Sequence, residues 1–245
     1  ATLELTKTIE KPIDRFKVLV TGKDKAGDFY RKNFASMFQY CSNRIPEITD
    51  AFYKIDDAMK AGFGWENGPF EIWDAIGVEK GIELMKAEGY QPASWVTDMV
   101  ASGTTSFYSV KDGATHFYSI TNKKVEKVPG QDAFIILNNI RESKKIWNNS
   151  DAVITDLGDG IINLEFTSKM NSIGAGVLQG INKAIDIAEK DYNGLVIGNQ
   201  GANFSVGANL GMIFMMAVEQ EYDELNMAIK MFQDTMMRCR YSAIP

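Results

Sequence analysis

Apolar residues recur three and four positions apart along much of the first hundred residues, the spacing that places side chains on one face of a helix. Glycines and prolines separate these segments, as is typical of helix ends and helix beginnings. The pattern predicts helices that open near Asp28, Pro46, Pro69, Val78 and Pro92. Residues 1–23 are mixed, and residues 16–20 fit a short strand or an extended arm. We therefore predict an all-helical domain over residues 1–102.

Aromatic residues recur on the inner faces of these predicted helices. Tyr30, Phe34 and Phe38 form one stripe, and Phe52 belongs to the next helix. Stripes of large apolar side chains are far more often packed core than a cofactor site. We interpret them as core.

The period changes to two in residues 103–150. Two runs rich in aromatic and β-branched residues flank Asp112 and Gly113, which predicts a β-hairpin. Residues 123–128 predict a third strand. Residues 134–137 fit either a strand or part of a helix, and the polar residues 143–149 predict a loop. We interpret this stretch as a connector that contains the hairpin.

Residues 151–245 combine both periods. They begin with two predicted strands, 153–157 and 161–166, joined by an Asp-Gly turn. Asp156 and Asp159 could be mistaken for a paired acid site, but their place favours turn residues.

The chain then continues with a predicted helix over residues 173–188 and a strand covered on both faces over residues 194–198. A turn of small residues over 198–203 leads to a long apolar helix from residue 207, and an amphipathic helix follows over 222–240. Asn171 or Ser172 is the predicted N-cap of the first of these helices. The fold class expected for the whole chain is α+β, with two domains.

Composition and charge exclude several classes of protein. With 45% hydrophobic and 24% charged residues, the chain is typical of soluble globular proteins. A net charge of −6 argues against binding to nucleic acid or to an anionic membrane. No apolar run is long enough to span a bilayer, and no secretory signal opens the sequence. We expect a cytoplasmic protein, and the missing initial Met indicates a piece of a longer one.

One histidine and two cysteines limit the available chemistry. Cys41 and Cys239 lie on apolar helical faces and are expected to be reduced thiols. His116 falls in the predicted hairpin with no partner spaced to help it, which favours a structural role. The sequence therefore predicts no metal site.

The stretch around Gly207 is the strongest candidate for chemistry. A buried strand, a loop of small residues and a helix start follow one another over residues 194–210. At such a helix start, backbone N–H groups lack internal partners and carry partial positive charge. They can hold a phosphate or a developing oxyanion.

Two motifs in this half resemble the enoyl-CoA hydratase/isomerase (crotonase) superfamily. They are Phe204-Ser205-Val206-Gly207-Ala208-Asn209-Leu210 and Met170-Asn171-Ser172-Ile173. The resemblance implies that the backbone N–H of Ala208 is one oxyanion-hole donor. It also implies that residues on both motifs bind coenzyme A: Asn171, Ser172, Ile173, Val206, Gly207, Asn209 and Leu210. Asn209 stands where the family usually has Asp, which puts any role of a carboxylate there in doubt. The resemblance implies a crotonase-like ββα spiral whose first half is residues 151–245.

A motif in the first half resembles another family. Phe63-Gly64-Trp65-Glu66-Asn67-Gly68-Pro69-Phe70 is similar to a loop in the C-terminal helical domain of 3-hydroxyacyl-CoA dehydrogenases, and Arg44-Ile45-Pro46 fits a helix junction of that family. The resemblance covers about residues 28–90. It implies a domain that supports subunit association and closes over acyl-CoA, without the catalytic residues.

The sequence lacks the dinucleotide, P-loop and serine-nucleophile motifs. The two resemblances therefore imply a fragment of a fused fatty-acid β-oxidation enzyme. The parent would use NAD, which this fragment would not bind, and would act on acyl-CoA thioesters as a homo-oligomer. The second oxyanion donor and the catalytic glutamates would lie outside this chain, so the fragment alone is expected to be inactive.

Two alternatives of other classes stay open. One is a non-catalytic module that binds acyl-CoA. The other is a subunit-assembly module that docks through a surface at Trp65 and Trp73.

Overall fold

The structure, a computed structural model, describes residues 1–9, 11–201 and 203–245. The chain divides into two compact units, Ala1–Gln131 (unit 1) and Asp132–Pro245 (unit 2). Helices and two small sheets are both present, which confirms the α+β class. None of the helices in these described ranges is long and apolar enough to cross a membrane.

Unit 1 contains helices followed by a small sheet. The helices are α1 (Thr2–Lys7), α2 (Pro12–Thr21), α3 (Lys25–Asn43), α4 (Tyr53–Phe63), α5 (Pro69–Ile76), α6 (Val78–Ala87) and α7 (Ser94–Ala101). The strands β1 (Tyr108–Lys111), β2 (Ala114–Ser119) and β3 (Lys124–Lys127) form an antiparallel sheet in that order. The predicted hairpin is confirmed: Asp112 and Gly113 have φ of 52° and 75°, as a type I′ turn requires.

The core of unit 1 is aromatic. Trp73 is fully buried and stacks on Phe38, with ring centroids 4.6 Å apart. Its Nε1–H donates to the carbonyl oxygen of Val78 at 3.0 Å, so the one polar group of the ring is satisfied. Phe52 and Phe70 belong to the same cluster, with centroids 5.0 Å apart. The aromatic stripes are therefore core, as predicted.

Two carboxylates, the fully buried Asp56 and the half-buried Asp74, hold α5 at its two ends. Asp56 accepts hydrogen bonds from two backbone amides in the first turn of α5, at 2.9 and 3.1 Å. Asp74 accepts from the amides of Phe107 and Tyr108 at 2.7 and 2.8 Å, and so fixes the start of β1. Burial raises the pKa of both carboxyl groups to about 7.

The N-terminal segment differs from the prediction. Residues 16–20, expected as a strand or an extended arm, lie in α2, which has Pro12 at its first position. Phe16 and Val20 are four residues apart and both pack into the core. Helical spacing therefore outweighed the β propensity of the two valines in this segment.

Pro46 does not open a helix, which is a second correction. It lies in a turn, and α4 begins only at Tyr53. Between them, the amide of Ala51 donates to the hydroxyl oxygen of Thr49 at 3.3 Å. Local side-chain bonds of this kind compete with the helical backbone pattern.

Unit 2 is built on a four-stranded sheet. Strands β4 (Lys145–Asn148), β5 (Ala152–Gly158), β6 (Ile161–Phe166) and β7 (Gly194–Ile197) pair in that order. Only the pair β6–β7 is parallel among these strands. The helices are α8 (Leu137–Ile140), α9 (Ala175–Asp191), α10 (Leu210–Val218) and α11 (Tyr222–Arg240). Helix α9 forms the crossover that two parallel strands need.

The core of unit 2 lies between α9 and the sheet. Val177 and Ile181 of α9 are buried with Ile154 and Leu164 of the sheet. Gly180 allows this close approach, because a Cβ there would lie 2.7 Å from the Cβ of Ala152. The helix predicted over residues 173–188 is thus confirmed as α9, with Ala175 as its first residue.

Three expectations about the sheet and α9 are wrong. Residues 143–149 contain β4 rather than only a loop; Ile146 and Trp147 are consecutive in this short edge strand, so the segment shows no apolar alternation. β7 is the last strand of the sheet and Val196 is 45% exposed, so the strand is not covered on both faces. Gly174, and not Asn171 or Ser172, is the N-cap of α9.

The turn between β5 and β6 is as predicted. Asp156 accepts a hydrogen bond from the amide of Gly158 through Oδ1 at 2.7 Å. Asp159 and Gly160 have φ of 53° and 76°. These residues therefore shape the turn and do not form an acid pair. In the turn predicted over residues 198–203, Ala202 lies outside the described residues.

Candidate functional site

The two segments that resemble the crotonase superfamily lie side by side in unit 2. Ile173 and Ala208 form a parallel bridge, in which the amide of Ile173 donates to the carbonyl oxygen of Gly207 at 2.8 Å. Asn171 donates through Nδ2 to the carbonyl oxygen of Asn203 at 3.0 Å. The structure thus brings together two loops that are distant in sequence.

The hydroxyl of Ser205 forms a third link between these loops. It donates to the carbonyl oxygen of Asn171 at 2.6 Å and accepts from the amide of Gly207 at 2.9 Å. Asn171 has a φ of 55°, which is costly for a residue with a side chain, and Gly207 has a φ of 83°. Such conformations persist where surrounding bonds hold them, as these bonds do.

Ala208 lies on the wall of an open cavity of about 480 Å³. It precedes α10 instead of opening it, which corrects the prediction. The N-cap is Asn209, whose Oδ1 accepts from the amide of Met212 at 3.2 Å. Asn caps a helix about as well as Asp, so this substitution preserves the turn. Within the described residues, the N–H of Ala208 donates to no protein acceptor.

The cavity is apolar. Helices α10 and α11 form most of its wall, through Met212, Ile213, Met216, Leu225, Ala228 and Phe232. Its described lining contains no ionisable side chain, and Asn209 and Gln233 are the polar side chains found there. The arrangement can hold an apolar group beside a backbone N–H donor, but it supplies no acid or base for proton transfer.

The predicted site residues divide into two groups. Ile173, Ala208 and Asn209 line the cavity. The others do not line it within the described residues: Asn171, Ser172, Val206, Gly207 and Leu210. Val206 and Leu210 are 48% and 77% exposed, so their side chains face solvent.

The part that sequence reasoning missed is the wall contributed by α11. Leu225, Ala228 and Phe232 fit an ordinary amphipathic face, and that spacing does not distinguish a packed face from a cavity wall. The sequence feature that could have indicated the cavity is the apolar composition of α10 on all its faces. In the structure this helix has no buried residue. A helix of this kind needs an apolar surface beside it.

Other reactive side chains have structural surroundings. The Nδ1 of His116 lies 3.1 Å from the carbonyl oxygen of Ala114, within β2. Burial raises the pKa of Cys41 to about 11 and also raises the pKa of Cys239, so both free thiols stay protonated. In the described ranges, no three metal-ligating side chains come together.

Of the two tryptophans expected on a docking surface, Trp65 is exposed and Trp73 is not. Trp65 is 39% exposed, but Trp73 is fully buried. The ring of Trp73 is stacked on Phe38 in the core, so it cannot contact another subunit.

Residues 25–114 match the family of the C-terminal domain of 3-hydroxyacyl-CoA dehydrogenases. The match begins at the start of α3 and ends at the start of β2. It confirms the resemblance to this family that residues 28–90 indicated.

The whole chain is similar to longer proteins. It is 39% identical over 244 residues to a probable 3-hydroxyacyl-CoA dehydrogenase of Bacillus subtilis (strain 168), a match that covers 99% of this chain and 31% of that protein. It is 25% identical over 218 residues to a protein of Rickettsia felis named as a fatty acid oxidation complex trifunctional enzyme, covering 89% of this chain and 27% of the relative. The chain therefore spans less than a third of the length of either of these two relatives. No solved structure gives a significant match.

The described residues do not fit NAD, the cofactor that 3-hydroxyacyl-CoA dehydrogenases generally use. The one parallel crossover in these ranges is β6–α9–β7, and a long loop, not a tight glycine turn, joins β6 to α9. Gly176, in the first turn of α9, packs against the carboxylate of Asp151. A negative charge at that point repels a pyrophosphate.

Proposed function

We propose that unit 2 binds the acyl group of a coenzyme A thioester, with the backbone N–H of Ala208 donating to the thioester carbonyl oxygen. One observation carries this proposal: Ala208, whose amide has no protein acceptor among the described residues, lines an apolar cavity. A preorganised N–H donor stabilises negative charge on a carbonyl oxygen. The cavity provides room for the hydrocarbon chain.

The wall of the cavity suits a flexible apolar ligand. Met212 and Met216 have unbranched, adaptable side chains. Each buried CH₂ group of the ligand contributes about 0.8 kcal/mol, so longer acyl chains should bind more tightly until the cavity is full. The polar part of coenzyme A would remain outside, beside the residues predicted for it: Asn171, Ser172, Val206, Gly207 and Leu210.

We further infer that residues 151–245 begin a crotonase-like domain, in a parent protein that also contains a 3-hydroxyacyl-CoA dehydrogenase. The family match over residues 25–114 and the names of the relatives support a place in fatty-acid oxidation. The parent would oxidise 3-hydroxyacyl-CoA with NAD and hydrate or isomerise enoyl-CoA, as a cytoplasmic homo-oligomer. The chain by itself would be inactive, because the described cavity offers no acid or base.

Calorimetric titration of the 245-residue chain with octanoyl-CoA tests the binding site. We expect saturable heat with octanoyl-CoA, and at least about tenfold weaker binding of free coenzyme A, equivalent to about 1.4 kcal/mol. The acyl-binding proposal fails if octanoyl-CoA gives no saturable heat.

A matched pair of variants places the ligand. Ala228→Trp puts a large side chain on the cavity wall, whereas Ala217→Trp puts it on an exposed position of α10 outside the lining. We expect Ala228→Trp to abolish binding of octanoyl-CoA and Ala217→Trp to retain it, with the far-UV circular dichroism of both unchanged. Equal binding by the two variants would place the acyl chain elsewhere.

Turnover tests the inactivity of the chain. We expect no hydration of crotonyl-CoA above the blank. Measurable hydration by the purified chain would show that its own residues complete a catalytic site.

A further inference from the structure

We propose that Ser205 is the positioning residue that aims the N–H of Ala208 into the cavity; this rests on the acyl-thioester site proposed above. Ser205 does not line the cavity. It acts through the backbone of Gly207 and through the loop that carries Asn171.

The direction of the Ala208 N–H is set by one peptide plane. The carbonyl group of Gly207 and the N–H of Ala208 belong to the same trans peptide, in which they point in opposite directions. The Gly207 carbonyl oxygen accepts from the amide of Ile173 at 2.8 Å. The Ala208 N–H is therefore turned away from the Ile173 amide, and it has no protein acceptor among the described residues.

Ser205 fixes the other side of Gly207. Its hydroxyl accepts from the amide of Gly207 at 2.9 Å. Gly207 has a φ of 83° and no Cβ, so without restraint its backbone could rotate and carry the Ala208 N–H with it. The two bonds, one on each side of Gly207, restrict that rotation.

The same hydroxyl also holds the opposite loop. It donates to the carbonyl oxygen of Asn171 at 2.6 Å, where the backbone has a φ of 55°. A hydroxyl can donate once and accept at the same time, and Ser205 uses both capacities. Alanine would remove both bonds at once, whereas threonine keeps the hydroxyl.

Amide exchange in the ligand-free chain tests the clamp. In Ser205→Ala, we expect the amides of Gly207 and Ile173 to exchange about tenfold faster by NMR, the change that corresponds to losing one ordinary hydrogen bond. Ser205→Thr should restore the slow exchange. Ser143→Ala removes a hydroxyl elsewhere in unit 2, where it donates to the carbonyl oxygen of Ile140 at 3.2 Å, and should leave both amides unchanged.

Infrared spectroscopy of bound octanoyl-CoA, labelled with ¹³C at the thioester carbonyl, tests the positioning role. A hydrogen bond to the carbonyl oxygen lowers its stretching frequency. We expect this lowering in the natural chain and in Ser205→Thr, and its loss in Ser205→Ala at saturating ligand. A merely structural role would change the unfolding midpoint and leave the carbonyl frequency unchanged.

The outcomes separate the two proposals. If the natural chain shows the lowered frequency and Ser205→Ala shows it equally, Ser205 is not the positioning residue and the acyl site stands. If exchange at Gly207 and Ile173 is unchanged in Ser205→Ala, the clamp itself is refuted. If octanoyl-CoA does not bind the natural chain, the acyl site is refuted and the role of Ser205 toward a ligand is refuted with it.

Discussion

The phenolic hydroxyl of Tyr108 donates to Oδ2 of Asp56 at 2.8 Å, inside unit 1. Asp56 is fully buried, and this burial raises its pKa to about 7. Burial and the nearby Asp56 charge also raise the pKa of Tyr108, so the phenol keeps its proton. The carboxyl group that holds the first turn of α5 therefore exchanges its proton near neutral pH.

Unit 1 should lose stability as the pH rises toward 7. The folded state binds the Asp56 proton more tightly than the unfolded state, because the folded pKa is about 7 and the ordinary value is 3.8. Stability is fully present below the ordinary pKa and is lost as the pH rises through the folded one, by up to about 1.4 kcal/mol per pH unit. Urea unfolding at several pH values between 3.8 and about 7, followed by tryptophan fluorescence, measures how the free energy of unfolding changes with pH.

Asp56→Asn should flatten this pH dependence. It cannot abolish the slope, because burial also raises the pKa of Asp74 to about 7. Asp57→Asn is the control, since its side chain is 64% exposed on the same helix. A free energy of unfolding that rises with pH in the natural chain would contradict the role assigned to Asp56. An unchanged pH dependence in Asp56→Asn would contradict it as well.

Glu165→Gln should destabilise unit 2 by about 2 kcal/mol, between the costs of breaking an exposed and a fully buried ion pair, because Arg141 is 23% exposed. Glu165 is 3% exposed and accepts from Nε and Nη2 of Arg141 at 2.9 and 2.7 Å. Glu142→Gln breaks an exposed pair with Lys145 and should cost no more than about 1 kcal/mol. Fluorescence of Trp147, the one tryptophan in unit 2, reports both; equal losses would argue against a buried pair.

Gly207→Ala should cost about 1 kcal/mol or more and weaken binding of octanoyl-CoA. A Cβ at this position meets no atom within 4 Å, so the cost comes only from the φ of 83°. Gly174→Ala is the matched control for stability, because it also has open space and its φ is −111°. The midpoints of thermal unfolding of the two variants should differ, and identical midpoints would show that the conformation of Gly207 is unimportant.

Gly81→Ala should destabilise unit 1 by about 1–3 kcal/mol through overpacking. The new Cβ would collide with the ring of Trp73, which the stack on Phe38 and the bond to Val78 hold in place. Gly62→Ala, in open space within α4, should instead stabilise by about 0.5–1 kcal/mol. Midpoints of thermal unfolding that move in the same direction would contradict this contrast.

Local patterns explain how much of the fold could be predicted. The last helix has the predicted bounds, Tyr222–Arg240, because its apolar spacing and its flanking residues are all in the sequence. The hairpin at Asp112 and the turn at Asp159 follow from single dipeptides that favour positive φ. These features depend on neighbours in the chain.

The features that were missed depend on distant partners. β4 is a four-residue edge strand whose apolar residues do not alternate, and it pairs with β5 along one side. Ala208 was expected in a helix, but its backbone pairs with Ile173, which lies far away in the sequence. The cavity exists because α10 and α11 leave space between apolar faces, and periodicity alone does not distinguish such a space from close packing.

The methionines of the cavity wall make this surface sensitive to oxidants. Met212 and Met231 line the cavity and are 55% and 40% exposed, so peroxide can reach their sulfur atoms. Oxidation converts a flexible apolar thioether into a polar sulfoxide. A hydrocarbon ligand would then meet a wetted wall, and its affinity would fall until a methionine sulfoxide reductase reversed the change.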